Sequence, residues 1–143
     1  MVNLENMRSL FAAAISLVVF GVYAQEAPVF EKPENGPKIT FKESSFDFGD
    51  ITQGDVVEHV FEFENTGNEP LILANVMTTC GCTAPSWPRE PIAPGESASI
   101  TVKFNSRGKI GVQNKVITIV SNAINQRERI RIETNVMVKE AGG

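Results

Sequence analysis

The sequence is short of the residues from which metal centres and catalytic sites are usually built. Its 143 residues include one histidine and two cysteines. A closed structural zinc site takes four cysteine or histidine ligands, so one copy of this chain is unable to form it. His59 is the single histidine base, with no evident acidic partner in the sequence, and a glycine-rich phosphate loop is absent. These absences argue against a hydrolase or transferase, and we predict a non-enzymatic protein without catalytic residues.

Long hydrophobic runs are also missing, and the one of moderate length lies near the N-terminus. The apolar stretch Leu10–Val22 has about 13 residues, whereas a membrane-spanning helix needs about 20. Val22-Tyr23-Ala24 places small residues where a signal peptidase reads them. We therefore predict a signal peptide over residues 1–24, a secreted or periplasmic protein, and no stable membrane span after cleavage. A retained anchor is the alternative.

Positive charge is in the minority, since 13 Lys and Arg face 17 Asp and Glu, for a net charge of −4. This balance argues against nucleic acid and acidic membrane surfaces as partners. Residues 26–96 carry 13 acidic and 4 basic side chains, whereas residues 97–143 carry 3 and 8. Either acidic strands pair beside basic strands, or the surface is dipolar and favours head-to-tail self-association. The oligomeric state stays open.

Helical periodicity is absent, and alternation of apolar with polar residues takes its place. Residues 25–37 are rich in Pro, Glu and Gly and predict a flexible linker. The predicted strands that follow are Ile39–Phe41, Phe46–Ile51, Val57–Glu64, Leu71–Val76, Ala98–Phe104, Val116–Val120 and Ile130–Val138. Leu71–Val76 is apolar enough to be covered on both faces near its start, and Val116–Val120 is typical of a central strand. The pattern predicts an all-β domain over residues 38–139, with seven to eight strands in two antiparallel sheets packed face to face.

The two cysteines are separated by one glycine, in the segment Cys80-Gly81-Cys82. On extended backbone, residues i and i+2 point to the same side with Cα atoms about 6.6 Å apart, the upper limit for a disulfide. Gly81 would let the backbone shorten that distance. A bridge this local adds little chain-entropy stabilisation, so stability is not the expected reason for it.

Four interpretations of Cys80 and Cys82 stay open. They form a reversible dithiol and disulfide pair, or they bind Cu(I) with Met77 or His59 as a further ligand. Alternatively they are small side chains packed at a strand end, or they bridge to another molecule. His59 shares one strand face with Phe61, which favours a packed, hydrogen-bonded histidine at the core edge over a metal ligand or proton relay.

A proline-rich connection follows the cysteines and contains the only tryptophan, Trp87. Prolines recur at every third position, which predicts a stiff, extended segment of the polyproline II type. These prolines are Pro85, Pro88, Pro91 and Pro94. Trp87 either caps an open end of the sandwich or is an exposed aromatic anchor for a protein or glycan. Pro85, Trp87 and Pro88 are the candidate partner-binding residues.

Several short motifs resemble those of a known family. They are Phe46-Asp47-Phe48-Gly49, His59-Val60-Phe61-Glu62-Phe63-Glu64-Asn65-Thr66-Gly67, Pro70-Leu71-Ile72-Leu73, Thr79-Cys80-Gly81-Cys82-Thr83, Pro85-Ser86-Trp87-Pro88, Ile92-Ala93-Pro94-Gly95 and Phe104-Asn105-Ser106. From about Phe41 to Val138 the chain resembles the secreted bacterial family Domain of Unknown Function 1573. That family is similar to immunoglobulin-like domains of the major-sperm-protein and Hydin type. The resemblance implies an immunoglobulin-like antiparallel β-sandwich and no particular activity.

The predicted fold, the predicted secretion and the lack of a recognisable set of catalytic residues together predict a secreted immunoglobulin-like binding or structural module of the cell envelope. We expect partner contact through strand edges and through Thr79–Pro91. The alternative is a thiol-disulfide redox or Cu(I)-handling protein that uses Cys80 and Cys82. A structural domain of a larger envelope assembly is the third possibility.

Overall fold

A computed structural model of the chain describes residues 35–142. The predicted signal peptide, residues 1–24, and the predicted linker residues 25–34 lie outside the described residues. The described part consists of eight strands and contains no helix, hence no helix that could cross a membrane. The strands are β1 (Ile39–Phe41), β2 (Ser45–Thr52), β3 (Val56–Asn65), β4 (Leu73–Thr78), β5 (Thr83–Ser86), β6 (Ser97–Asn105), β7 (Gly111–Ser121) and β8 (Arg127–Met137).

The strands form two four-stranded sheets, one in the order β1-β3-β6-β5 and the other in the order β2-β8-β7-β4. This confirms the predicted all-β, immunoglobulin-like sandwich of seven to eight strands. One strand pair departs from the expected antiparallel pattern, because β2 runs parallel to β8 with Ser45 opposite Arg131. The cause is a change of sheet. β1 pairs with β3 in the first sheet, and the chain then crosses at residues 42–44 to join the second sheet at its edge.

The core consists of side chains that alternate along the strands, as the sequence pattern predicts. On β3, Phe61 and Phe63 are fully buried, while Glu62 and Glu64, which alternate with them, are exposed. Burial of a phenylalanine of this kind contributes about 1.5–3 kcal/mol. β7 lies in the interior of its sheet, which confirms the prediction of a central strand at Val116–Val120.

One predicted strand, Leu71–Val76, differs from the structure in its bounds and in its burial. Leu71 forms an isolated bridge with Ile92, and β4 itself begins two residues later at Leu73. The prediction that this segment is covered on both faces is wrong, because Ile72 is 43% exposed between buried Leu71 and Leu73. The reason is that a sandwich of two sheets covers only the inner face of each sheet, so the outer face meets solvent.

A buried asparagine, Asn65, fastens the end of β3 to the chain around it. Its Nδ2 donates hydrogen bonds to the carbonyl oxygens of Glu69 at 2.7 Å and Ile92 at 2.9 Å. Its Oδ1 accepts from the backbone N–H groups of Gly67 at 3.0 Å and Lys38 at 3.3 Å. Four backbone groups from three segments therefore depend on one amide side chain, which has no exposed surface.

The glycine two residues later is required by a close approach of backbone. A Cβ added to Gly67 would lie 2.5 Å from Lys38 N and 2.7 Å from Pro37 C, and closer still to Gly36 O. Gly36 and Pro37 are buried there, and the Pro37 carbonyl accepts a hydrogen bond from Ile124 N at 2.9 Å. The last residues assigned to the flexible linker are thus packed against the sandwich.

We predict opposite results for alanine at two glycines of this chain. Gly67→Ala should lower the free energy of unfolding by about 3 kcal/mol, because the new methyl group overlaps backbone atoms that are themselves hydrogen bonded. Gly81→Ala should change it by less than about 0.5 kcal/mol, since a Cβ there meets no atom within 4 Å. Urea unfolding followed by circular dichroism measures both. Equal stability of the two variants would contradict the packing described for Gly67.

Candidate functional site

A tight turn joins β4 to β5, and it contains both cysteines. The Thr83 N–H donates to the Cys80 carbonyl oxygen at 3.3 Å, which closes a four-residue turn, called here the disulfide turn (residues 80–83). The two sulfurs are bonded, and the Cα atoms are 5.3 Å apart. The prediction of extended backbone at the cysteines is wrong, because turned backbone brings the Cα atoms well inside the range that a disulfide spans.

Hydrogen bonds hold the disulfide turn from both sides. The Thr78 hydroxyl donates to the Cys80 carbonyl oxygen at 2.9 Å, and the Cys82 carbonyl oxygen accepts from Asn105 N at 2.9 Å. Cys80 and Cys82 are half-buried, and Cys82 packs against the hydrophobic core. The turn is therefore anchored on its inner side, while its outer side remains open to solvent.

Gly81 forms the outer tip of this turn and is exposed. Its φ lies outside the left-handed region, and a Cβ built on it would meet nothing within 4 Å. Neither a left-handed φ nor contact with residues beyond Cys80 and Cys82 requires glycine here. Glycine at this exposed position places no side chain beside the half-buried Cys80 and Cys82.

Trp87 lies just beyond β5 and is half-buried against the core. The Arg89 guanidinium stacks on its ring, 3.9 Å from the centroid. Its Nε1 is buried and has no hydrogen-bond partner among the described residues. With one ring face covered by Arg89 and its polar atom buried, Trp87 has the geometry of a cap on the sandwich and not of a free anchor. Pro88 beside it is also half-buried.

The proposed metal ligands are not brought together. His59 stacks on Phe46 at a centroid distance of 3.6 Å, and its Nε2 lies 2.5 Å from Glu43 Oε1. Between residues 35 and 142, no three His, Cys, Asp or Glu side chains are grouped so that they could hold a metal ion. The Cu(I) set of Cys80, Cys82, Met77 and His59 stays a prediction. The two sulfurs are bonded to each other, and His59 is fixed on the inner face of β3 as a packed, hydrogen-bonded histidine.

The strand before the disulfide turn has an open side, called here the β4 edge (residues 73–78). Thr79 N donates to Val116 O at 3.3 Å, which fixes the phase of the ladder between β4 and β7. Because ladder hydrogen bonds alternate along an antiparallel strand, the backbone groups of Thr78 and Val76 face away from β7. Val76 N is taken by the Asn75 side chain at 2.9 Å. Thr78 N–H, Thr78 C=O and Val76 C=O are left for a further strand.

The other three edges of the two sheets are protected, and the β4 edge is the least so. β1 has only three residues, and β2 carries Asp47 and Asp50 on either side of a bulge. β5 contains Pro85, which pairs opposite Val102 and has no N–H to offer outward. The β4 edge has no charged residue and no proline, although a register shift between Leu73 and Asn75 interrupts it.

Exposed apolar side chains accompany the β4 edge. Ile72 is 43% exposed and Met77 is 40% exposed, and Ala74 between them is exposed as well. The predicted cover of Leu71–Val76 on both faces near its start is incompatible with this exposed surface. The signal was present as the absence of charge from residue 70 to residue 88, a stretch that in this acidic chain is unusual.

Solved structures with a similar fold come from varied sources. A protein of unknown function from Porphyromonas gingivalis W83 matches with a TM-score of 0.62 and 20% identity, over 71% of this chain and 48% of that one. The ASH/PapD-like domain 7 of human CEP192 matches with a TM-score of 0.61 and 14% identity, over 76% of this chain and 94% of that domain. The YadV chaperone matches with a TM-score of 0.54 and 16% identity, over 73% and 55%. This chain thus spans about half the length of the Porphyromonas protein, and the likeness shows the fold alone.

Sequence comparison is consistent with this picture. No protein of curated function matches the chain. Residues 39–136 match the family described as protein of unknown function (DUF1573), which covers every strand of the sandwich. The chain therefore belongs to the DUF1573 family.

Proposed function

We propose that this protein is a non-enzymatic, secreted or periplasmic module of the bacterial cell envelope that binds another protein. It adds an extended segment of its partner to the β4 edge as a fifth strand of the second sheet. The disulfide turn lies at the end of that edge and forms the boundary of the contact. Proteins that recognise extended segments in this way gain affinity from main-chain hydrogen bonds and specificity from alternate side chains.

The observation that carries the proposal is the unprotected β4 edge. Natural sheets usually blunt an edge with charge, proline or a very short strand, and the other three edges of this sandwich are treated so. Three backbone groups at Thr78 and Val76 are available for pairing, and each hydrogen bond would contribute about 1 kcal/mol. Ile72 and Met77 offer apolar contact beside them. This combination supports a specific contact of moderate affinity.

The non-enzymatic part of the proposal rests on the composition and on His59. The chain has a single histidine, and its ring is occupied by Phe46 and Glu43. That leaves no free histidine among the described residues to act as a general base. One structure that shares the fold is named a chaperone, which is an analogy at the level of the fold only.

The β4 edge can be tested with a photo-crosslinking amino acid at Ala74 of the full chain in the producing organism. We expect a single dominant adduct to a partner protein. Met77→Lys should reduce its yield roughly tenfold, because a lysine beside an edge strand opposes the addition of another strand.

The matched control is Val60→Lys. Val60 is 44% exposed, close to the 40% of Met77, but it lies on β3 in the interior of the first sheet. The adduct should persist in this variant. Equal loss of the adduct in both lysine variants, or no adduct in any of them, would rule out the β4 edge as the contact.

A second candidate function is thiol–disulfide exchange, favoured by the exposed Gly81 at the tip of the disulfide turn. A thiolate of a partner dithiol protein attacks one sulfur, so that a mixed disulfide forms while the bond between Cys80 and Cys82 breaks and releases a thiolate. The partner's second thiolate then attacks the mixed disulfide. The partner leaves as a disulfide, and this chain retains two thiols after proton uptake.

We predict that dithiothreitol reduces the folded protein and raises its intact mass by about 2 Da, the mass of two hydrogens. Gly81→Val should slow this reduction roughly fivefold, since a branched side chain covers the outer side of the disulfide. Mass spectrometry after rapid alkylation measures the rate, and circular dichroism of the same samples reports folding. In concentrated urea the two proteins should react at the same rate. Reduction that occurs only after unfolding would exclude an exchange function.

A further inference from the structure

A concave surface, separate from the β4 edge, lies on the outer face of the sheet that contains β8, at the point where β2 begins. It is a pocket of about 240 Å³ lined by Ser44, Ser45, Val116, Arg129, Ile130 and Arg131, and is called here the arginine pocket. Ser44 ends the crossing between the two sheets and Ser45 begins β2, whereas the arginines belong to β8. The chain therefore brings two serines and two arginines together from segments about 85 residues apart.

The arginines of this pocket are not neutralised by the protein. Arg127, Arg129 and Arg131 alternate along β8 and so share its outer face, with Cα atoms about 6.6 Å apart. Arg129 has no acidic partner in the described part of the chain. Arg131 has one contact with Glu133 at 3.8 Å, and both side chains are about half exposed. An exposed pair of that length contributes little, so most of the donors of Arg131 remain available.

The backbone of β8 adds a donor to the same place. Arg131 N donates to Ser44 O at 2.8 Å, so the odd-numbered residues of β8 direct their backbone groups toward β2. β2 begins opposite Arg131, so among the described residues Arg129 pairs with β7 on one side and has no strand partner on the β2 side. By this alternation, the Arg129 N–H points into the gap next to the two serines. An open backbone N–H among guanidinium groups is a favourable surrounding for an anion.

The acidic residues nearby are held outside the pocket. Glu43, directly before Ser44, is engaged by His59 Nε2 at 2.5 Å. Glu133 and Asp47 lie opposite each other one step further along the sheet and line a separate depression together with Asp50. A long polyanion that extended along β8 in that direction would meet these carboxylates. The arginine pocket is thus suited to one anionic group and not to a chain of them.

We propose that the arginine pocket binds a single tetrahedral oxyanion, a phosphate or sulfate group, either free or carried as an ester on a sugar. A planar carboxylate is satisfied by one arginine through two parallel hydrogen bonds. Two guanidinium groups from different positions, with Ser44 and Ser45 on the other side, instead present donors to three or four oxygens. The volume is below the 300–1,000 Å³ typical of sites for larger ligands, which fits recognition of the charged group alone.

Nuclear magnetic resonance titration of the full chain at fixed ionic strength tests this proposal. The probes are inorganic phosphate, sulfate, glucose 6-phosphate and acetate. We expect saturable shifts of the Ser45, Arg129 and Arg131 amides below about 10 mM phosphate or sulfate, and at least fivefold weaker binding of acetate. Tighter binding of glucose 6-phosphate than of phosphate identifies an ester as the ligand, and equal or weaker binding identifies the free ion.

Arg129→Gln and Arg131→Gln should each weaken binding roughly tenfold, because each removes charge-assisted hydrogen bonds. Arg127→Gln is the matched control. It makes the same change of charge on the same face of β8 but outside the pocket lining, and it should alter the dissociation constant less than twofold. Equal weakening by all three variants would mean diffuse attraction by surface charge and would overturn the proposal. Acetate binding as tight as phosphate, or no saturable shift with any probe, would overturn it as well.

Discussion

Where the chain passes from one sheet to the other, nearby backbone groups are left without a strand partner, and both candidate sites lie at such crossings. The chain crosses at residues 42–44, so β8 lacks a neighbour beside Arg129. It crosses again through the disulfide turn, so β4 ends its sheet and Thr78 faces outward. Backbone groups left unpaired in this way are tolerated only at an edge, where water, a ligand or another strand can satisfy them. The open positions on this sandwich are therefore direct results of its topology.

Elsewhere the connections are closed by buried polar side chains. Asn65 supplies four hydrogen bonds to backbone groups at the end of β3. Ser106, also without exposed surface, donates its hydroxyl to Asp55 O at 2.8 Å and accepts from Gly54 N at 2.9 Å, which ties two turns together. Removing such a partner would leave buried groups unsatisfied at a cost of about 1–3 kcal/mol each. Hydrogen bonds of buried side chains thus hold the connections between strands in place. The sheet edges can therefore remain without strand partners while the fold stays well defined.

The sequence predicts which side chains of a strand point inward better than it predicts which strands pair. Alternation placed His59 with Phe61 on an inner face, because side chains of a strand repeat with a period of two. That period carries no information about which strands pair, so the parallel pairing of β2 with β8 was missed, and with it the meeting of Ser45 and Arg131. The prediction of extended backbone around Cys80 is wrong because a short polar segment shows no periodicity from which its backbone conformation could be predicted. The packing around Asn65 and Gly67 depends on residues 36–38, which lie across them and are distant in the sequence.

The disulfide contributes less to stability than its prominence in the sequence would suggest. Loop-closure entropy for a three-residue loop gives about 1.6 kcal/mol, roughly half the value for a 15-residue loop. Hydrogen bonds from Thr83 N and the Thr78 hydroxyl already hold the Cys80 carbonyl oxygen in place. Thr78 also belongs to the β4 edge, since its backbone faces away from β7 while its hydroxyl reaches the turn. A strand added along β4 would end beside the sulfurs of the disulfide turn. Protein binding and thiol exchange would therefore use one continuous surface, and the two proposed functions are compatible.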